Sequence, residues 1–240
     1  MQIAARRRDG GTEARDIFGS MMAARDRGHG RPMPDAQLAR EALTLVVAGH
    51  ETTASVLSWT WYLLSEHPEV DVKLEAELRQ AHDRDCHDIA RMFDFTYTRR
   101  IVEEAMRLYP PGWLMTRKAL RADRLGGYLV PPGTEIYISP YLIQRHPGLW
   151  ELPERFDPER FDPPDSGARP RLAMCPFSAG PRNCIGETFA LVEMQIHLMT
   201  IARVLRLRRA DQEQPEVAAG VNLLSKKDFI MEPESRASAG

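Results

Sequence analysis

Apolar residues recur at helical spacing along several stretches of the chain. The longest stretch runs from Asp35 to about Ser65, and its middle, residues 43–48, is apolar on all sides. An all-round apolar segment predicts a helix buried on every side. The same periodicity predicts four further helices, over residues 17–22, 69–81, 98–108 and 185–206.

Shorter stretches predict small strands between and after these helices. Tyr128–Val130 and Glu135–Ile138 flank a Pro-Pro-Gly turn, which is typical of two strands around a turn. Residues 221–224 and 229–231 predict two more strands. Residues 147–171 hold many of the prolines and predict a long meandering loop, a feature that is usually functional in a compact domain. The fold class that follows is mainly α with small β-sheets.

Composition excludes several classes of protein. The 240 residues are 43% hydrophobic and 28% charged, as in ordinary globular proteins. A formal net charge of −2 provides no general case for nucleic-acid binding, and the basic run at residues 6–8 is interpreted as a solvated terminus. Three cysteines without a Cys-x-x-Cys pair argue against a disulfide scaffold and a zinc ribbon, and favour a reducing compartment. No segment approaches the roughly 20 apolar residues that a membrane span needs, and no apolar leader follows Met1.

The most specific feature is the loop at residues 177–186, Phe-Ser-Ala-Gly-Pro-Arg-Asn-Cys-Ile-Gly. It places Cys184 at the start of a predicted helix, where free N–H groups and the helix dipole favour thiolate over thiol. Gly180 and Gly186 remove side chains where a flat group needs close approach. Arg182 supplies a fixed cation suited to a carboxylate. A buried structural cysteine beside a Gly-Pro turn is the alternative, and the complete pattern at these spacings argues against it.

This loop resembles the haem-ligand signature of the cytochromes P-450 at every defining position, and the resemblance extends over residues 34–231. It implies haem b as cofactor, with the Cys184 sulfur as axial ligand of the iron. In this family the thiolate donates electron density that favours O–O cleavage. Cys86 and Cys175 lie outside the loop and are expected to be ordinary thiols.

The resemblance also assigns roles to the neighbours of Cys184. It implies that Arg182 pairs with a haem propionate and that Phe177 shields the sulfur from water. Arg117 occupies the place of a second propionate-binding cation, with an exposed surface arginine as the alternative. The full set of cofactor-binding residues that it implies is Ala48, Gly49, Arg117, Phe177, Gly180, Arg182, Cys184, Ile185 and Gly186.

A polar motif, Ala-Gly-His-Glu-Thr-Thr at residues 48–53, interrupts the long apolar helix. Glycine costs about 1 kcal/mol against alanine in a helix, and a carboxylate costs more unless paired, so the motif indicates a functional site. A kink at Gly49 would leave space for dioxygen, and Glu51 with Thr52 would form an acid–alcohol pair for proton delivery. A zinc-protease helix needs a second histidine where Ala54 stands. A structural polar patch is the other alternative, and the match to the family's oxygen-activation motif favours function.

Glu104 and Arg107 stand three residues apart on one face of a predicted helix. Alone this is a weak signal, but the segment resembles the family's Glu-x-x-Arg helix, whose third partner would be Arg160 in the meander. Burial of such a triad is acceptable only if every charge is matched. Its expected role is structural, since it would lock the meander and thereby the loop that bears Cys184.

Three largely apolar segments, residues 43–48, 111–115 and 223–225, are expected to line a substrate cavity. Apolar walls favour a lipophilic substrate without specifying one. The resemblance implies a monooxygenase that inserts one oxygen atom from O2 into that substrate. No redox module is attached, so a separate ferredoxin or flavoprotein is expected to supply electrons. The alternative is a haem-binding remnant without turnover.

The domain organisation expected is one partial cytochrome P-450 domain over residues 1–240. It would comprise a lead-in at 1–33, the haem-binding part at 34–231 and a tail at 232–240, which is the C-terminal half of the fold: long central helix, Glu-x-x-Arg helix, meander, cysteine loop and final helix. Domains of this family are much longer, so the chain is expected to be a fragment that lacks the front helices. Neither a nucleic-acid partner nor a membrane span is expected, and the expected location is the cytoplasm.

Overall fold

The computed structural model describes residues 16–26, 28–80, 89–162 and 169–236. The chain divides into two compact units, residues 1–51 and 52–240. The single partial domain expected from the sequence stays a prediction. Cys86 lies outside the described residues, as do about half of the predicted lead-in and the last four residues of the tail.

The first unit contains helix α1 (Ile17–Ala23) and the beginning of helix α2 (Asp35–Glu66). The Asp16 carboxylate caps α1 by accepting the Gly19 N–H at 2.7 Å. The prediction of all-round burial for the middle of α2 is wrong, because Val46 and its apolar neighbours within residues 43–47 are exposed. Within this unit α1 has only seven residues, none of them buried, and is too small to cover that segment.

The second unit packs the rest of α2 with α3 (Pro68–Arg79), α4 (Thr96–Leu108) and α6 (Glu187–Ala202). Their buried apolar side chains form the core. The remaining helical segments are short: α5 (Pro140–Ile143) and 3-10 turns at Ile89–Asp94, Pro158–Phe161, Arg171–Ala173 and Gly180–Arg182. Of the helices in these described ranges, none has the length and apolarity that crossing a bilayer requires.

The described strands pair into small antiparallel sheets of two strands each. The pairs are β1 (Met115–Lys118) with β4 (Glu135–Ile138), β2 (Asp123–Leu125) with β3 (Tyr128–Val130), β5 (Leu205–Arg209) with β8 (Met231–Ser235), and β6 (Val217–Ala219) with β7 (Leu223–Ser225). The predicted fold class, mainly α with small β-sheets, is confirmed.

The pairing of β3 and β4 differs from the sequence prediction. Both strands lie where they were predicted, but each pairs with an earlier strand and not with the other. Gly126 and Gly127, with φ of 54° and 87°, form the two-residue turn between β2 and β3. Turns of this kind require positive φ at both central residues, which glycine adopts without strain.

The last helix and the tail also differ in their bounds. Helix α6 ends at Ala202, not near residue 206, because leucines and arginines alternate over Leu205–Arg209 and this segment forms β5. The two predicted tail strands correspond to β7 and β8, each shifted toward the C-terminus, and the sequence prediction missed β6.

Helix α4 is capped at both ends by side chains from other elements. At its N-terminus the Glu77 carboxylate, from α3, accepts the backbone N–H groups of Tyr97 and Thr98 at 2.7 and 2.8 Å. At its C-terminus the Gln144 side-chain amide donates to the carbonyl oxygens of Met106 and Arg107, both at 3.0 Å. These contacts satisfy backbone groups that a helix cannot pair internally.

A buried ion cluster joins α3 to the last sheet. Asp71 is buried and accepts from the guanidinium groups of Arg206 and Arg236, and Glu75 accepts from both as well. The Arg236 side chain is only 4% exposed, so its charge depends on these carboxylates.

We expect Asp71→Ala to lower the free energy of unfolding by about 2–3 kcal/mol, because it removes one of the two carboxylates that bind the buried Arg236 guanidinium. Urea unfolding measures this change. Glu234→Ala is the matched control, since it breaks the exposed Arg208–Glu234 pair in the same sheet and should leave stability unchanged. Equal losses in the two variants would contradict the stabilising role assigned to the buried ion cluster.

Candidate functional site

The loop that carries Cys184 is held by its own backbone. The Cys184 N–H donates to the carbonyl of Phe177 at 2.9 Å, and the Asn183 N–H donates to the carbonyl of Gly180 at 3.0 Å. Ser178 and Gly180 have positive φ, 67° and 69°, which folds the loop back on itself. Helix α6 begins three residues after Cys184.

The surroundings of Cys184 fit a thiolate-ligated haem. The thiol is exposed and free of any disulfide. A Cβ on Gly186 would lie 3.8 Å from the Cys184 sulfur, an ordinary van der Waals contact, so Gly186 lies directly beside the thiol. Ile185 and Phe189 are 94% and 67% exposed and add apolar surface beside the thiol. A flat macrocycle would cover such surface and a soft thiolate would ligate its iron.

The predicted partners of the cysteine loop occupy different positions around it. Phe177 is half-buried and packs against the core, whereas Arg182 is exposed. Arg117, on β1, donates to the Ser178 hydroxyl at 3.3 Å and to the carbonyl of Thr116 at 2.9 Å. The structure therefore brings Arg117 to the loop through a serine that sequence reasoning did not use.

The structure brings Glu104, Arg107 and Arg160 together in the interior. Glu104 and Arg107 are fully buried, and Arg107 donates two hydrogen bonds to the Glu104 carboxylate, at 2.7 and 2.9 Å. Arg160 adds a third at 2.9 Å, and the backbone N–H of Asp157 adds a fourth. The Glu104 carboxylate thus has the partners that a buried charge requires.

Every N–H group of the Arg107 guanidinium has a hydrogen-bond acceptor. Its remaining N–H groups donate to the backbone carbonyls of Gln144, Pro153 and Arg155 at 2.7–3.0 Å. All five of its donors therefore have an acceptor. Because two of these carbonyls lie in the meander, residues 147–171, the meander is tied directly to α4.

Trp150 is a part of this arrangement that the sequence analysis missed. Its ring is 2% exposed and faces three guanidinium groups, with the carbons of Arg107, Arg160 and Arg169 at 5.1, 6.0 and 4.6 Å from its centroid. A tryptophan face attracts such cations. A lone tryptophan in a proline-rich loop gives no sequence signal for this role.

The polar motif of α2 lies where the two compact units divide. Ala48, Gly49 and Glu51 are exposed, and Thr52 is half-buried. The helix is continuous from Asp35 through Glu66. Outside the backbone of α2, a Cβ on Gly49 would meet no atom within 4 Å. The roles predicted for these four residues stay predictions.

One segment predicted to line a cavity, residues 223–225, is strand β7 of the β6–β7 hairpin, and a second, residues 111–115, is bonded to this hairpin. The Ser55 hydroxyl and the Trp59 indole, both on α2, donate to the carbonyl of Leu223 at 2.8 and 2.9 Å. The Trp113 indole donates to the carbonyl of Gly220 at 2.9 Å. Residues 111–115 are thereby fixed to the hairpin that contains residues 223–225.

Comparisons with known proteins agree with the resemblance that the sequence motifs indicate. The family model described as Cytochrome P450 matches residues 2–231. Cyclooctatin synthase from Streptomyces melanosporofaciens is 37% identical over 193 residues, which cover 80% of this chain and 42% of that protein. Cyclooctat-9-en-7-ol 5-monooxygenase from the same organism is 36% identical over 84% of this chain and 44% of its own length. The chain thus spans less than half the length of these two relatives.

Solved structures share the fold. The crystal structure of the cytochrome P450DA heme domain superposes with a TM-score of 0.90 and is 28% identical. The alignment covers 98% of this chain and 52% of that one. The fold predicted from the sequence is confirmed.

We expect Arg107→Ala to lower the free energy of unfolding by about 3–5 kcal/mol, because it removes two of the four hydrogen bonds to the buried Glu104 carboxylate and the Arg107 donors of the meander carbonyls. Urea unfolding measures the loss. Arg99→Ala is the control on the same helix, since it removes only the partly exposed Arg99–Glu103 pair and should cost a small fraction of that amount. A comparable loss in both variants would show that the buried triad contributes no special stability.

Proposed function

The chain belongs to the cytochrome P450 family, and on this premise we propose that it acts as a haem-thiolate monooxygenase in which Cys184 ligates the iron. One observation carries the proposal: an exposed, unpaired thiol on a backbone-fixed loop at the start of α6. When bound, haem supplies the redox-active iron at which dioxygen is activated. The side chains of the protein then bind the haem, orient the substrate and deliver protons.

The role proposed for Cys184 is supported by its electrostatic position. The N-terminus of α6 points its free N–H groups and positive dipole end toward the loop, which favours the thiolate. The hydrogen bond from the Cys184 N–H to Phe177 fixes the direction of the side chain. We propose that half-buried Phe177 excludes water from the sulfur and that Gly180, Ile185 and Gly186 complete the contact surface.

Two arginines are proposed to bind the haem propionates. Arg117 is oriented by Ser178 and by its own strand, and exposed Arg182 stands two residues before the ligand. A guanidinium forms charge-assisted, bidentate hydrogen bonds with a carboxylate. The triad of Glu104, Arg107 and Arg160 is proposed to act only through the position of the loop.

Glu51 and Thr52 are proposed to relay protons toward bound dioxygen, with Ala48 and Gly49 leaving room for it. An acid next to an alcohol on one helical turn provides a proton source and a hydrogen-bond donor. The lack of a side chain at Gly49 supports this proposal. Protons that arrive at a controlled position favour oxygen transfer over release of peroxide.

The substrate is proposed to be lipophilic, and the electron donor a separate ferredoxin or flavoprotein. The apolar segments at residues 111–115 and 223–225 support an apolar substrate. One similar protein is named as a monooxygenase of cyclooctat-9-en-7-ol. A cytoplasmic location is part of the proposal and is supported by the free cysteines Cys175 and Cys184, which suit a reducing compartment.

Cys184→Ser in the haem-loaded protein is expected to abolish the thiolate-type absorption band of the reduced, CO-bound form, because serine does not provide a thiolate ligand. Cys175→Ala is the matched control and should leave the band in place, since that thiol is buried in the core. A band that survives in the Cys184 variant would refute the ligand assignment. A band without turnover of any substrate would favour the non-catalytic haem-binding remnant.

Thr52→Ala, placed in a full-length protein, is expected to retain haem and to divert electrons from product to peroxide or water, because the alcohol guides protons and does not hold the cofactor. Peroxide formed per dioxygen consumed, with a ferredoxin and its reductase as donors, measures the diversion. Thr52→Ser keeps the hydroxyl and should behave as the parent protein. Unchanged coupling in the alanine variant would contradict the proton-delivery role.

A further inference from the structure

Gln144 is a fully buried polar side chain to which neither the proposed chemistry nor the triad assigns a role. It follows helix α5, and its side-chain amide contacts two separate parts of the fold. The amide nitrogen donates to the carbonyl oxygens of Met106 and Arg107 at the end of α4. The amide oxygen accepts the backbone N–H of Cys175 at 3.0 Å.

A short series of backbone hydrogen bonds leads from Cys175 to Cys184. The carbonyl of Cys175 accepts the Ser178 N–H at 3.1 Å. Phe177 immediately precedes Ser178, and its carbonyl accepts the Cys184 N–H at 2.9 Å. The segment that Gln144 holds is therefore the same segment whose backbone orients the Cys184 side chain.

The triad reaches the chain upstream of this segment. Arg107 donates to carbonyls at Gln144, Pro153 and Arg155, and residues 163–168 beyond them lie outside the described chain. The Gln144 side chain, by contrast, contacts Cys175 directly. A single side chain therefore links the end of α4 to the segment that leads into the cysteine loop.

We propose that Gln144 is a positioning residue for Cys184, which transmits the position of α4 to the thiolate loop. This inference rests on the proposed function of Cys184 as haem ligand. A primary amide suits the role because it donates at one end and accepts at the other in one rigid plane. An apolar replacement would leave a buried N–H and two buried carbonyls without partners.

The first test compares Gln144→Leu with Gln195→Leu in the 240-residue protein. Gln195 is a matched control, because it is also a buried glutamine, but its amide nitrogen donates within α6, to Leu191. The readout is the rate at which a thiol reagent modifies Cys175, followed by mass spectrometry of its peptide. We expect about a tenfold faster modification in Gln144→Leu, as loss of buried hydrogen bonds releases the segment. The Gln195 variant should keep the parent rate, and equal rates in both variants would overturn the proposal.

The second readout is spectroscopic and uses the haem-loaded variants. A merely structural role would lower the haem content of both variants without changing the kind of spectrum that the bound haem shows. A positioning role lowers the share of bound haem with the thiolate-type CO band in Gln144→Leu only. An unchanged share in that variant would refute the proposal.

A measurement on the parent protein covers the case in which Gln144→Leu fails to fold. The Cys175 amide should then exchange its hydrogen as slowly as the Tyr109 amide, which bonds to Ala105 at the end of α4. Fast exchange at Cys175 would overturn the proposal. A parent protein without any thiolate-type band would refute Cys184 as ligand, while the thiol rates and amide exchange would still decide whether Gln144 holds the loop.

Discussion

The arrangement of the second unit depends on one buried cation. Arg107 has no contact with solvent, and a guanidinium cannot lose its proton inside a protein, so every donor must meet an acceptor. One acceptor is the Glu104 carboxylate and the others are backbone carbonyls from distant parts of the chain. Backbone carbonyls in a loop without regular structure are thereby given fixed positions. The charge that is costly to bury also specifies where the meander must lie.

The parts of the fold that could be predicted from the sequence are those specified by local patterns. Helices α2 and α4 were predicted to within a few residues, because their apolar stripes are long and their ends carry clear signals. The partners of β3 and β4 were not predicted, since β3 pairs across the Gly126-Gly127 turn with β2, and β4 pairs with the more distant β1. The exposure of residues 43–47 differs from the burial that their apolar pattern predicts, because a sequence pattern states what a helix can bury and not what is present to cover it.

The same division applies to the candidate site. The cysteine loop is a contiguous motif, so its glycines, its arginine and Cys184 were all identified from the sequence. The triad was identified because its segment resembles the family's Glu-x-x-Arg helix, since a pair on one helical face is a weak signal alone. Glu77, Gln144 and Trp150 were missed, since each acts over a separation of tens of residues through hydrogen bonds or ring contacts that have no sequence signature.

The two caps of α4 become available at different times while the chain is synthesised. Glu77 precedes its partner Tyr97 by 20 residues and is already present when α4 emerges, whereas Gln144 follows Arg107 by 37 residues. A 13-residue helix is too short to be stable in isolation, so tertiary partners must complete it. On the nascent chain α4 is therefore held at its first turn and open at its last. The end of the helix that carries the buried arginine closes only after Gln144 and the first part of the meander have left the ribosome, and until then its last carbonyl groups and its arginine lack these partners.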